Sequence, residues 1–274
     1  MLNFCSLYSG SSGNSLFVET NNTRILIDAG MSCKKIEEGL QSIEVDPSSI
    51  NAILVTHEHA DHVKGLGTLS KKFDIPVFST KETFDAMPVQ TEKLSDKNIK
   101  FFKPSEKFSI NDLEILPFSI PHDAANPCGF NILSDSQNQI SIATDIGHMT
   151  KSIVDKLESS KFILLESNYD TEVLRCCSYP YKLKTRIASE FGHLSNTIAG
   201  KTISYLLKNG NIKTAMLGHL SKESNFPELA YQTVIDEIIS NNTNNINLSV
   251  ASRDCPSKLI NLYWFCKGNK NKIE

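Results

Sequence analysis

The densest chemistry in the sequence is Thr56-His57-Glu58-His59-Ala60-Asp61-His62. It sets four potential metal ligands, His57, His59, Asp61 and His62, within six residues of a chain that has only seven His. Imidazole and carboxylate donors suit zinc, manganese or iron and do not choose among them. If the segment is a turn after a strand, His57 and His59 can converge on one ion while Asp61 and His62 face a neighbouring one. The H-E-x-x-H helix of zinc proteases, with two His one turn apart, is absent.

Ligands of this kind need a rigid frame. Apolar runs of strand length, rich in Ile and Val, recur at 16–18, 25–27, 52–55, 115–120, 140–143, 162–165 and 215–217. Six of them deliver a potential ligand or acid at one end. These are Asp28, His57, His122, Asp145, Glu166 and His219, each at or just past the end of its run. Polar side chains set at the ends of buried strands are held in place by the scaffold. Between the runs lie helical patterns. Ser195 caps one that carries Ile198, Ile203, Leu206 and Leu207 on a shared face, and Pro227 starts another with Leu229, Ala230, Val234, Ile238 and Ile239 inward. Strands and helices in both halves predict two packed sheets with helices outside, a single four-layer α/β domain over residues 1–274. The polar stretch 241–247 (NNTNNIN) reads as a loop before a late strand.

Composition narrows the function. With 274 residues, 40% hydrophobic and 22% charged, the chain has the balance of an ordinary globular protein and material for a sizeable core. A net charge of −3 excludes a strongly basic nucleic-acid wrapper but leaves room for a local basic patch. No window approaches a membrane span, and the N-terminus lacks the pattern of a secretory signal, so the expected address is the cytoplasm. The seven cysteines (Cys5, Cys33, Cys128, Cys176, Cys177, Cys255 and Cys266) are odd in number and contain no CxxC pair. They are expected to be reduced and mostly to serve packing.

His57-x-His59-x-Asp61-His62 at a strand end, followed by a lone His, a lone Asp and a final His, resembles the metallo-β-lactamase superfamily along essentially the whole chain. The resemblance implies the αβ/βα sandwich of that family and a dinuclear centre. One ion would be held by His57, His59, His122 and Asp145. The second would be held by Asp61, His62, Asp145 and His219, with Asp145 bridging. Two divalent ions outweigh the two carboxylates, so the centre would favour an anionic group such as a phosphodiester. Class B lactamases carry Cys at the place of Asp145, which speaks against β-lactam chemistry here.

Further segments point to one branch. Ser9-Gly10-Ser11-Ser12-Gly13-Asn14-Ser15 can approach a ligand closely, and its backbone N–H groups could form an anion nest. With Thr144-Asp145-Ile146-Gly147, Glu166-Ser167-Asn168-Tyr169-Asp170 and Gly192-His193-Leu194-Ser195-Asn196, the chain looks like the YycJ (WalJ) subfamily. That resemblance implies a cytosolic bacterial 5′→3′ exonuclease on double-stranded DNA, linked to cell-wall and division control. Tyr169 replaces a His common in the pattern and is given no catalytic duty. The order Glu166, His193, His219 is also similar to ribonuclease Z, where an acid and a His assist the leaving group. Catalytic duty therefore falls on Asp61, orienting the attacking hydroxide, and on His193 paired with Glu166. The sixty positions from His62 to His122 leave little room for a tRNA-grasping arm. The seventy-four from Asp145 to His219 are too few for a β-CASP cap.

Substrate contacts are expected from Ser11, Ser12, Asn14 and Arg186. Arg186 belongs to a basic cluster with Arg175, Lys182 and Lys184, interleaved with Tyr179 and Tyr181. It could position phosphates, or be a solvated helix face. His148 reads as a structural hydrogen-bonding residue and Asp28 as support for the ligands. The cofactors expected are two Zn²⁺ or Mn²⁺ ions, and the partner is nucleic acid, duplex DNA foremost. A small-molecule metallo-hydrolase (cyclic phosphodiesterase, thioesterase or lactonase), an RNA-processing nuclease and a non-catalytic regulatory protein are the alternatives.

Overall fold

Strands made of unbroken apolar runs need cover on both faces, and the chain supplies it with two stacked sheets. The computed structural model describes residues 1–135, 138–241 and 246–262. The first sheet holds β1 (Asn3–Tyr8), β2 (Ser15–Glu19), β3 (Arg24–Ile27), β4 (Ala52–Leu54), β5 (Val77–Ser79) and β6 (Ile99–Phe101) in that order, with β14 (Ile260–Asn261) outside β1. The second holds β7 (Phe108–Ile110), β8 (Leu113–Ser119), β9 (Cys128–Asp135), β10 (Asn138–Ala143), β11 (Phe162–Glu166), β12 (Thr214–Gly218) and β13 (Asn247–Val250), also in chain order. The seven apolar runs fall on β2, β3, β4, β8, β10, β11 and β12.

Side-chain alternation builds three apolar layers. Ile25 and Ile27 of β3, Phe162 and Leu164 of β11 and Met216 of β12 meet between the sheets. Leu26 and Ile53 face outward under helices Cys33–Ser42 and Leu66–Phe73. Ile163, Leu165 and Leu217 face the opposite way, under helices Lys151–Leu157, Asn196–Asn209 and Pro227–Ser240. The result is the expected four-layer α/β sandwich.

Local details depart from expectation in places. Ser195 caps its helix by accepting from the Ile198 N–H at 3.4 Å. Ile203 and Leu206 are buried, but Ile198 is exposed. On the last helix Ala230, Val234 and Ile238 point inward, whereas Ile239 is exposed. Each misplaced residue is about one position off the stripe that a 3.6-residue repeat allows to face the core. Cys5 and Cys128 are buried, and Cys176 and Cys255 are exposed; no disulfide forms among the described residues. Burial pushes the Cys128 thiol up to about 12. Cys266 and positions 242–245 of the polar stretch lie outside the described residues. Among the described residues no helix is long and apolar enough to cross a membrane.

Parallel pairing gives each sheet a rim where strand ends collect. β3, β4, β5 and β6 pair in parallel, as do β10, β11, β12 and β13. The Cys128 N–H donates to the Thr56 carbonyl at 3.1 Å and ties the second sheet to the segment after β4.

Candidate active site

Three of the residues that leave these strand ends pay a backbone cost. Asp28 after β3, Asp145 after β10 and His219 after β12 have φ of 63°, 59° and 56°. This left-handed region is unfavourable for residues with a Cβ, and non-glycine residues held there cluster at functional sites. The twist turns each side chain from its strand into the space between the rims.

The segment after β4 delivers the rest. His57 follows Thr56, and a short helix, Ala60–Val63, presents Asp61 and His62. The segment 28–30 is laced onto that helix. Ala29 N–H donates to His62 O at 2.8 Å, Asn14 N–H to Asp61 O at 2.8 Å, and Gly30 N–H to Asn14 O at 2.8 Å. A Cβ on Gly30 would lie 1.6 Å from the Asp61 carbonyl oxygen, so only glycine allows this approach.

The side chains converge as the ligand pattern requires. His57, His59 and His122 form one group whose donor atoms lie within 4.8 Å of one another. Asp61, His62 and His219 form a second, Asp145 joins His57 and His62 in a third, and Asp145 and His219 stand with Glu166 and His193 in a fourth. His122 Nε2 stands 3.3 Å from His59 Nδ1, and His219 Nε2 stands 3.4 Å from Asp61 Oδ2. Asp145 reaches both sides, with Oδ2 3.4 Å from His62 Nε2 and Oδ1 3.8 Å from His122 Nε2.

Outer hydrogen bonds fix which nitrogen of each ring faces inward. Asp28 accepts from His62 Nδ1 at 2.7 Å and from Thr56 N and Oγ1 at 2.8 Å each. The Thr56 hydroxyl oxygen in turn accepts from His57 Nδ1 at 3.0 Å. His122 Nδ1 donates to the Gly192 carbonyl at 3.0 Å, and His219 Nδ1 to Glu166 Oε1 at 2.9 Å. Four Nε2 atoms are thereby turned toward the pocket. His57 Nε2 and Asp145 Oδ2 are buried with no hydrogen-bond partner. Such orphans are costly unless something else binds them.

The pocket's charge tells the same story. Burial opposes a charged His62, yet Asp145, Asp28 and Asp61 outweigh it and raise its pKa to about 9. His219 is raised in the same way, burial being overcome by Asp145, Asp61 and Glu166. Burial likewise opposes the charged Asp145, and the surrounding imidazoles hold it below the usual carboxylate range. The buried carboxylates thus hold protons on His62 and His219, while burial keeps His57 neutral with its Nε2 unpartnered; a divalent cation can take the place of those protons, and it fits the pocket.

Glu166, the last residue of β11, is fully buried. Its Oε2 accepts from the backbone of Ile146 at 2.7 Å and of Leu194 at 3.1 Å. Its Oε1 accepts from His193 Nδ1 at 2.8 Å as well as from His219. His193 stands with Nδ1 3.7 Å from Asp145 Oδ1. The other remaining His takes no part: His148 is exposed and donates Nδ1 to the Glu190 carbonyl at 2.9 Å.

The site opens on a cleft of about 300 Å³ lined by Ser11, Asp61, Asp145, Arg186, His193 and His219 among others. Of the expected substrate contacts, Ser11 and Arg186 therefore reach it. Ser12 lies beside Ser11, its Oγ 3.5 Å from Arg253 Nη1. Asn14 is buried and bound to Gly10, Asp61 O and His62, bracing the loop. In the expected anion nest the N–H groups of Ser9, Gly10, Gly13 and Asn14 donate within the protein, which leaves those of Ser11 and Ser12 as the ones that could face an anion. Arg186 grips Asp123 through Nε at 2.5 Å and Nη2 at 2.9 Å. Arg175 pairs with Glu172. Tyr169 contributes its backbone, its carbonyl accepting from Asn196 N at 2.9 Å.

Two supporting residues were not expected individually. Asn168 donates Nδ2 to the His219 carbonyl at 2.8 Å. Asn225 donates to the carbonyls of Ser167 and Asn168 at 2.9 and 3.1 Å. Asn168 lay inside a segment already singled out, so its type and place were visible. Asn225 carried no local signal.

Comparison with known proteins identifies the family. Residues 8–155 match the model of the metallo-beta-lactamase superfamily. The exodeoxyribonuclease WalJ of Streptococcus pneumoniae is 36% identical over 234 residues, 85% of this chain and 86% of that protein. The exodeoxyribonuclease YycJ of Bacillus anthracis is 34% identical over 233 residues, covering 85% and 88%. In solved structures the fold recurs in Zn²⁺-bound PqqB of Methylobacterium extorquens, with a TM-score of 0.71 at 16% identity over 93% of this chain and 99% of that one. The chain is a metal-dependent hydrolase that belongs to the metallo-beta-lactamase superfamily and is a relative there of WalJ and YycJ.

Proposed function

We propose that the chain is a dinuclear phosphodiesterase that degrades double-stranded DNA from the 5′ end. The observation that carries this reading is the convergence of seven donor side chains, four of which (His59, Asp61, Asp145 and His219) line an open cleft, beside a His193 held by Glu166. The similarity to exodeoxyribonucleases supplies the polymer class. A cleft that opens past the partly exposed side chains of His193 and Arg186 suits a polymer better than an enclosed small molecule.

His57, His59, His122 and Asp145 would hold one ion, and Asp61, His62, His219 and Asp145 the other. When bound, the ions supply Lewis acidity and a water of lowered pKa. The protein's own groups do the rest. Asp61, on the cleft side, orients the attacking oxygen. Glu166 accepts a hydrogen bond from His193 Nδ1–H, so that Nε2 is the nitrogen left to carry a second proton to the leaving 3′-oxygen. The buried carboxylate of Glu166 stabilises the imidazolium while it holds that proton. Attack breaks the P–O3′ bond, the proton ends on the 3′-oxygen, and the attacking oxygen stays on phosphorus.

The test is to offer protein loaded with Mn²⁺ or Zn²⁺ end-labelled duplex DNA, single-stranded DNA, structured RNA and a nitrophenyl phosphodiester, with EDTA controls. Duplex DNA shortened from its 5′ end is the expected result. Lactone or thioester turnover without nuclease activity would overturn the reading, and preference for RNA would move the substrate to the other nucleic acid.

A further inference from the structure

Next to the catalytic cleft, at the ends of β12 and β13, lies a larger cavity of about 470 Å³. That size falls within the roughly 300–1,000 Å³ of small-ligand pockets. Its wall combines Lys222, Arg253, Ser221, Asn225 and the ring of Phe226. Arg253, in the wall of the larger cavity, reaches toward the catalytic cleft. One of its nitrogens, Nη1, lies 3.4 Å from the Oγ of Ser11, which lines the catalytic cleft. Its other nitrogen, Nη2, donates to the Leu220 carbonyl at 2.9 Å, one residue past His219.

What distinguishes this wall is charge left unspent. Arg186 and Arg175 are tied to acids, but among the described residues neither Arg253 nor Lys222 has a carboxylate within ion-pair distance. Asp254 also lines the cavity and pairs with neither. Phe226 is 50% exposed at the start of helix Pro227–Ser240. A guanidinium and an ammonium beside hydroxyl groups are phosphate chemistry, and an exposed aromatic ring next to them is a stacking surface for a base.

We propose that this cavity is a nucleotide subsite. It takes the nucleotide next to the phosphodiester in the catalytic cleft, with Arg253 and Lys222 on its phosphate and Phe226 against its base. Phosphate binding and stacking carry no sequence information, so the subsite grips any strand and sets its register on the cleft. The inference rests on the nuclease reading.

Arg253→Ala, Lys222→Ala and Phe226→Ala are compared with the parent holoenzyme on duplex oligonucleotides over a salt series, with metal content measured for each. Arg253→Ala is expected to raise KM about tenfold, more than it changes kcat, and to lower the slope of log affinity against log salt by about one. Arg253→Lys should recover part of the loss. Phe226→Ala should raise KM several-fold without changing the slope, and an abasic nucleotide next to the scissile bond should produce the same rise in the parent but none in that variant. Lys222 and Phe226 make no side-chain hydrogen bond in the site, so their variants still test the idea if Arg253→Ala disturbs the His219 segment. Parent-like KM and salt slope in Lys222→Ala and Phe226→Ala, with the parent cleaving DNA, would overturn the subsite alone. A parent that neither binds nor cleaves any nucleic acid would overturn the nuclease reading, and the subsite with it.

Discussion

The donor pocket and the rim around it are built on opposite rules. Inside, most donors are pinned from behind: Asp28 and Thr56 hold His57 and His62, the Gly192 carbonyl holds His122, and Glu166 holds His219. On the rim the charged groups are exposed and several cancel one another, as Arg186 does with Asp123 and Arg175 with Glu172. The contrast separates two tasks. Reacting atoms must be placed to a fraction of an ångström, which takes buried, hydrogen-bonded side chains. A polymer's phosphates need only be attracted and aligned, which exposed cations can do.

If this contrast is right, the cost of a substitution falls steadily from the pocket outward. The largest loss is expected at Asp145, which reaches both ligand groups. Asp145→Ala should bring activity to background and lower the metal content from about two ions per chain, measured by elemental analysis. Full activity in protein stripped of metal would break the comparison at its centre. His193→Ala comes next. It should keep both ions and the parent's thermal stability, yet lose about 10²–10⁴-fold in rate, the usual worth of a positioned acid. The loss should shrink on a nitrophenyl phosphodiester, whose leaving group needs little proton donation. Equal loss on both substrates would make His193 a positioning residue, and a lost ion would make it a ligand.

Asp28 touches no substrate and tests how far the pinning matters. Asp28→Asn keeps the shape but weakens the hold on His62 and, through Thr56, on His57. Metal affinity should fall about 10–100-fold, as for other groups that orient ligands, and activity should return at saturating metal. A titration with Mn²⁺ or Zn²⁺ followed by activity reads both quantities. Unchanged affinity would show that Thr56 alone suffices.

The same division explains what the sequence made legible. Buried strands could be read because both faces of β3, β4, β10, β11 and β12 are covered, leaving runs without polar interruption. β9 escaped because Asn131 sits within it, buried, and donates to the Lys156 carbonyl at 2.8 Å; a local reading prices such a residue as exposed. β5, β6, β7 and β14 are two or three residues long and owe their form to neighbours. The donor residues were legible because their chemistry is concentrated in short motifs at strand ends. Glu166 and His193 could be paired in advance only through a family likeness, since 27 residues separate them. Arg253 lies 242 residues from Ser11 and follows no motif, so only the folded chain joins them.

The smallest effect is expected at Arg186, and it bears on the comparison most directly. By residue type and by its place in the cleft, Arg186 resembles a phosphate contact. Its guanidinium, however, is held in two hydrogen bonds by Asp123, 2.5 and 2.9 Å long. To bind a phosphate it would have to share or leave that carboxylate, and the pair presents little net charge to a strand. Arg253, with no carboxylate in ion-pair distance among the described residues, keeps its charge free for a strand. Arg186→Ala should therefore raise KM on duplex DNA by less than about threefold and change the salt slope by well under one, against about one for a phosphate contact that is lost outright. Measured side by side, Arg186→Ala and Arg253→Ala rank the two sides of the cleft. If Arg186→Ala costs as much as Arg253→Ala, its ion pair opens when substrate arrives, and exposed pairs on this rim are reserves of charge rather than cancelled charge.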